Sequence, residues 1–382
     1  VTRRPLRDPL PPRAPRVVIC AGGGGVGKTT TSAALGLALA QRGHATLLVT
    51  IDPARRLAGA LGVPITDAVT PVTLPAAGGK LSALMPDPRR SLRTFIEQLF
   101  ADEPEARDRV LANRLYVGLS DATAGVHELV AMNLVAHASA SQAFDFVVID
   151  TAPSRHAIDF VTYPGRLAAL LGGRTVAWLA NLAARAGETD PAATPRSGGV
   201  LSWGAGHLEG VLARVTGPTL VRDTASLFGD LATVRGRFVS LTERAAALLL
   251  GERATYVLVA APTAAARDDV RYLAKRLDAL GRAPHALLVN RADTHPAPHL
   301  RRLRDAADAP APVRDAAAQL LQESASRTDA ADALCADLAQ RLPKAVQVRL
   351  PHLEAPTPDA IVRGLCDALA PHLDALLPGL AR

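Results

Sequence analysis

Eight residues, Gly22-Gly23-Gly24-Gly25-Val26-Gly27-Lys28-Thr29, constrain this chain more than any others. The run before them, Val17-Val18-Ile19-Cys20, is apolar and β-branched, the pattern of a buried strand. The run after them, Thr30 to Gln41, is rich in Ala and Leu and stops at Gly43, the pattern of a helix. A strand, a glycine loop, Lys-Thr and a helix together make a phosphate-binding loop. Glycines let backbone N–H groups turn around phosphate oxygens with no Cβ in the way. The helix start adds its positive dipole end. In such a loop Lys28 reaches the β- and γ-phosphates and the Thr29 hydroxyl ligates Mg²⁺, so the loop implies a nucleoside triphosphate with Mg²⁺, which the resemblance below narrows to ATP. Gly22, Gly23, Gly24, Gly25, Val26, Gly27, Lys28, Thr29 and Thr30 are therefore the candidate phosphate cradle.

The order of patterns further along sets the fold class. Ala45 to Ile51 reads as a second buried strand, followed by Asp52-Pro53-Ala54. Phe144 to Ile149 reads as another, closing on Asp150-Thr151-Ala152-Pro153. An apolar strand ending in Asp is the Walker B pattern, whose carboxylate holds Mg²⁺. Leu81–Met85, Thr255–Ala260, His285–Val289 and Val346–Leu350 complete the strand candidates, with a helix over Ala264–Leu280. Ligands of open α/β sheets gather at the carboxyl ends of the strands, which puts Asp52 and Asp150 on the edge of the phosphate loop. The spacing predicts an α/β fold, a doubly wound and mostly parallel sheet, with an inserted helical subdomain. Residues 1–16 read as a disordered basic tail and 17–375 as one ATPase domain. The helical insertions are expected at about 88–140 and 157–250. Residues 305–341 read as helical, and Thr357-Pro358 as the capped start of a helix running to about Leu369.

Composition bounds the setting. The chain has 382 residues, 48% of them hydrophobic but only 3% aromatic, so Ala, Val and Leu must build most of the core. The formal net charge of +7 suits anionic ligands. No basic run is interleaved with aromatics, so no nucleic-acid partner is expected. Cys20, Cys335 and Cys366 lie far apart with no metal-ligand spacing, which points to a reducing, cytoplasmic setting. The most apolar stretch, Leu167 to Ala186, is interrupted by Arg174 and Arg185, so no membrane span is expected.

Thr50-Ile51-Asp52-Pro53-Ala54 and Ile149-Asp150-Thr151-Ala152-Pro153-Ser154-Arg155-His156, taken with the glycine loop, resemble the arsenite pump-driving (anion-transporting) ATPases. That family also includes ATPases that target tail-anchored membrane proteins. The resemblance is closest to its bacterial branch and runs from Val17 to about Leu369. It implies that Asp52 orients the attacking water in switch I and is associated with the metal site. It implies that Asp150 is the Mg²⁺-associated carboxylate of switch II. It also implies that Asn290 hydrogen-bonds adenine, with Pro262 and the loop Pro351-His352-Leu353 around the base. A dimer follows from it too, either a homodimer or a heterodimer with a paralogue. The work of ATP hydrolysis would go to a membrane-protein partner or an apolar client helix, with the protein peripheral at the membrane.

Two features depart from the resemblance. Relatives usually carry a second lysine after the first glycine of the loop, where this chain has Gly23. Arg155, or else Arg55 or Arg56, is the candidate to supply that charge, so the catalytic set reads Asp52, Lys28 and Arg155. The other departure concerns cargo. Three scattered cysteines do not make a soft-metalloid site, and two methionines, Met85 and Met132, do not make a methionine-rich groove. These departures keep a nucleotide-gated chaperone or scaffold with little turnover as the alternative.

Overall fold

The computed structural model describes residues 14–51, 56–73, 78–121, 143–152, 158, 218–292, 298–377 and 380. They divide into two compact units. One lies within residues 1–86, 134–161 and 247–382, and the other within 87–133 and 162–246.

The first unit is built on eight strands: β1 (Arg16–Gly22), β2 (Thr46–Thr50), β3 (Thr70–Val72), β4 (Leu81–Leu84), β5 (Phe146–Asp150), β6 (Ala254–Ala260), β7 (Ala286–Val289) and β8 (Val346–Arg349). They form one sheet in the order β3-β4-β2-β5-β1-β6-β7-β8. Every pairing is parallel except β3 with β4, which is antiparallel. The chain leaves β1 toward one side of the sheet and returns to build the other side from β6, so the strand order reverses at β1. A crevice opens at the carboxyl ends of the strands at such a reversal. The β3 strand escaped the sequence reading for a plain reason. It is three residues long and carries Pro71, which a sheet tolerates at its edge, where β3 lies.

Strands of this sheet read as unbroken apolar runs because both faces are covered. On one face Val18, Cys20, Leu48, Val148, Val257 and Leu288 pack with α1 (Lys28–Gln41). That helix is buried along nearly its whole length rather than on one stripe. The reason is a second layer, the C-terminal helix Pro358–Leu369 with Leu373 and Leu376 after it. Alanines 33, 34 and 38 of α1 allow this close stacking. On the other face Val270, Leu273 and Leu277 of the helix Ala264–Ala279 are fully buried.

Residues 305–341 are not one helix. A helix over Pro298–Asp305 stops, and a 31-residue helix begins at Ala311. Pro310 is the N-cap and Pro312 lies in the first turn, where its missing N–H costs nothing. Thr357 is an N-cap whose hydroxyl makes no capping bond, with Pro358 at the first helical position.

In the second unit, the helices Pro88–Leu99, Pro104–Ala112, Arg114–Asp121 and Pro218–Thr233 and most of the helix Arg235–Leu250 supply a separate core. Phe95, Leu99, Phe100, Val110, Leu227 and Phe238 are its centre. The Phe95 and Phe238 rings meet edge to face at 5.9 Å. Asp87 caps the helix Pro88–Leu99 by accepting from the Arg90 N–H at 2.9 Å. Among the described residues no helix is long and apolar enough to cross a membrane.

Candidate functional site

The glycine loop leaves β1 and enters α1 in three steps, each with its own steric reason. A Cβ on Gly22 would run into the Val259 carbonyl of the adjacent strand β6. Gly25 and Gly27 hold φ of 75° and 86°, the left-handed region that side chains disfavour. Gly27 is the N-cap of α1 and supplies no side chain to cap it. No acidic residue stands in the first turn. The first turn of α1 thus adds no carboxylate of its own to the helix's positive end, as an anion cradle requires. Lys28 is 5% exposed at this helix start. The Thr31 and Ser32 hydroxyls turn back onto the Gly27 and Lys28 carbonyls, each at 2.9 Å. Thr29 and Thr30 are half-buried beside them.

The carboxylate edge lies in register with the loop. Asp150, fully buried at the end of β5, is opposite Cys20 on β1 and opposite Thr50 on β2. Thr50 donates its hydroxyl to Asp150 Oδ2 at 3.0 Å. The next residue, Thr151, donates to the Cys20 carbonyl at 2.8 Å, tying the strand end to β1. Burial pushes the Cys20 thiol up to about 12, with Asp150 adding to the shift and Ser32 and Lys28 opposing it. Cys20 is therefore a neutral core thiol that feels both a cation and an anion of the loop region.

Asn290 sits at the end of β7, its N–H bonded to the Ala260 carbonyl at 2.8 Å. Its side-chain amide, 5% exposed, donates to the Val26 carbonyl at 2.9 Å. The asparagine thus clamps the phosphate loop from a strand two places away. A Cβ on Gly27 would collide with that amide, so the glycine and the asparagine require each other. Arg291 follows with φ of 57°, a left-handed turn, and Ala292 then donates to Leu350 at 2.8 Å. That bond joins the Asn290 turn to the start of Pro351-His352-Leu353. Within this loop Leu353 packs against Gly364 of the C-terminal helix and is part of the core margin. Pro351 is half-buried and His352 exposed. Pro262 is half-buried just before Thr263, the N-cap of the helix Ala264–Ala279.

Sequence reading missed two residues here. Thr50 could have been found as the last residue of a buried strand pairing with the Asp150 strand. Asp269 left no signal. It lies on the helix Ala264–Ala279, and its carboxylate covers Gly23 so closely that a Cβ there would overlap Oδ2. Asp52 and Arg55 lie outside the described residues, as do Arg155 and His156. Arg56 opens a six-residue helix, Arg56–Leu61.

The fit to a polyphosphate rests on the loop itself: two left-handed glycines, an uncapped helix start and a buried lysine. The donor set for a hard divalent cation is oxygen only, the Thr29 hydroxyl and the Asp150 carboxylate, which suits Mg²⁺ bound partly through phosphates and water.

Residues 15–187 match the sequence model of the anion-transporting ATPase family. The chain is 33% identical over 162 residues to the ATPase GET3 of Malassezia globosa, covering 42% of this chain and 46% of that protein. It is 31% identical over 155 residues to the ATPase get3 of Schizosaccharomyces pombe, covering 41% and 45%. It is 33% identical over 155 residues to the arsenical pump-driving ATPase of Acidiphilium multivorum, covering 40% and 26%. In each case the match spans less than half the length of the curated relative.

Proposed function

We propose, on the premise that this chain belongs to the anion-transporting ATPase family across residues 15–187, that it is an Mg²⁺-dependent ATP hydrolase. The observation that carries this reading is the loop: left-handed Gly25 and Gly27, the uncapped start of α1 and buried Lys28, with buried Asp150 in register with Cys20 of the strand that leads into it. Backbone amides of Gly24 to Thr29 would hold the β-phosphate. Lys28 would neutralise charge that builds on the γ-phosphate. Thr29 and Asp150 would hold Mg²⁺, Asp150 oriented by the Thr50 hydroxyl. Held by these two residues, Mg²⁺ would supply positive charge against the charge that develops on the phosphates. Asp52 would orient the attacking water, and Arg155 would supply cationic charge in place of a second lysine. Asn290, its amide already given to Val26, would offer Oδ1 to the adenine amino group, with Pro351 and His352 along the base. We place this cycle in a homodimer or a heterodimer with a paralogue that serves a membrane-protein partner or an apolar client.

A second reading, a nucleotide-gated chaperone or scaffold with little turnover, is favoured by one feature. Gly23 lies under the Asp269 carboxylate, so the loop brings an anion where relatives bring a lysine. Phosphate release from ATP by the purified chain, in Mg²⁺ and in EDTA, separates the two. Mg²⁺-dependent release supports hydrolysis. ATP binding without release, with or without anionic vesicles, supports the gated module.

A further inference from the structure

At the amino ends of β7 and β8, across the sheet from the phosphate loop, lies an open cleft of about 750 Å³. That is the size of a small-molecule site. Its walls are the end of the helix Ala264–Ala279, the turn into β7, and the end of the 31-residue helix with the turn into β8. Five cations line it, Arg271, Lys275, Arg282, Arg341 and Lys344, against one lining carboxylate, Asp278. Leu338 and Leu342 give it an apolar side.

Three of the cations are held in place. Asp337, behind the wall, accepts from Arg271 at 2.6 Å and from Arg341 Nε at 3.3 Å. Arg271 also reaches Asp268, at 3.5 Å. Arg282 donates to the Ala254 carbonyl at 2.9 Å. Fixing a guanidinium before a ligand arrives lowers the entropy lost on binding. Behind the wall Nε of Arg271, Nε of Arg282 and Oδ2 of Asp337 are buried without a hydrogen-bond partner. Lys275 and Lys344 stand exposed on opposite walls. Planar guanidinium forks and point-charge ammoniums together suit a phosphoryl group, and the leucines suit the organic body attached to it.

We propose that this cleft is a second anion site, separate from the phosphate loop, that binds the phosphoryl group of an organic phosphate. The same chemistry is presented by a free phosphate ester and by a phospholipid headgroup. The site does not depend on what the phosphate loop does.

Binding to the full-length chain, held in saturating Mg²⁺-ADP, tests it with two probes. One is glycerol 3-phosphate followed by calorimetry. The other is co-sedimentation with vesicles of phosphatidylglycerol in phosphatidylcholine. Lys275→Glu/Lys344→Glu reverses the two exposed walls and leaves the Asp337 contacts alone. Lys80→Glu/Arg302→Glu makes the same change in net charge at exposed positions outside the cleft. The expected result is binding of at least one probe, weakened at least ~10-fold by the cleft pair and less than ~2-fold by the control pair. Binding of glycerol 3-phosphate identifies a soluble ester, and binding of vesicles alone identifies a headgroup. Absence of binding by both probes overturns the proposal, as does equal weakening by both pairs, which would mean diffuse charge. Because the readout is the difference between two variant pairs, a failure of nucleotide binding at the loop is seen separately, as a missing Mg²⁺-ADP signal in all forms.

Discussion

The two edges of the sheet handle positive charge in opposite ways. At the carboxyl edge the cation is Lys28, 5% exposed and surrounded by backbone that left-handed glycines have shaped. At the amino edge the cations are long side chains on helix ends, and Lys275 and Lys344 stand in solvent. The first site is made of main chain, so a side chain added at Gly22, Gly25 or Gly27 disturbs it through a collision or a left-handed φ. The second is made of side chains on a scaffold that does not need them, so its chemistry can change while the fold stays. The difference predicts a steep hierarchy of mutational effects at the carboxyl edge.

The largest effect belongs to Lys28→Ala. If Lys28 has the role proposed for it, its removal should lower ATP turnover by ~10³-fold or more, since such groups act in a water-poor site on charge that develops in the transition state. Phosphate release measured alongside thermal unfolding checks this. Turnover within ~10-fold of the parent would mean that the loop is not the hydrolytic centre.

Next come the glycines, which separate one steric cause from another. Gly27→Ala faces both a left-handed φ and a collision with the Asn290 amide. Gly25→Ala faces the φ alone, with open space around it. Gly24→Ala faces neither. Nucleotide affinity should therefore fall in that order. We expect ~100-fold for Gly27, ~10-fold for Gly25 and little for Gly24, on costs of ~1–3 kcal/mol for each strained position. A flat series in a fluorescent-nucleotide titration would show that the loop reshapes freely.

The Asn290 clamp ranks third. Asn290→Ala leaves the buried Val26 carbonyl without its donor and should cost ~1–3 kcal/mol in urea unfolding. Thr50→Val, which takes a hydroxyl from Asp150, should cost a similar amount or less. If Asn290→Ala weakened nucleotide binding yet left stability unchanged, the residue would serve the base alone.

How much of this was legible beforehand follows the same division. The glycine loop and the strands ending at Thr50 and Asp150 were readable because their constraints are local. A phosphate cradle needs fixed spacing, and a strand covered on both faces must be an apolar run. The position of Asn290 after its strand was readable, but its bond to Val26 was not, since it joins residues 264 apart in sequence. Asp269 over Gly23 was hidden for the same reason, on a helix face that periodicity alone leaves as one exposed carboxylate among several. The break in the helix over 305–341 was written in Pro310 and Pro312, and an Ala-rich composition masked it. Arg16, read as tail, opens β1 and pairs with Phe146, because a charged residue can begin a strand at the sheet margin.

The smallest effect discriminates best between main-chain and side-chain causes. Gly23 has no left-handed φ, so what an added Cβ meets there is the Asp269 side chain, Oδ2 foremost and Cγ and Cβ behind it. Gly23→Ala should cost ~1 kcal/mol of stability, and in an Asp269→Ala background that cost should nearly vanish, a coupling of about its own size. Gly27→Ala in an Asn290→Ala background should behave differently. Removing the amide relieves the collision but not the φ of 86°, so ~1 kcal/mol or more should persist. Urea unfolding of both cycles reads the result. If the Gly23 cycle shows no coupling, Asp269 does not hold that position. If it couples, Gly23→Lys with Asp269→Ala becomes the informative variant: any gain in ATP turnover over Asp269→Ala alone measures what this loop forgoes by carrying glycine there.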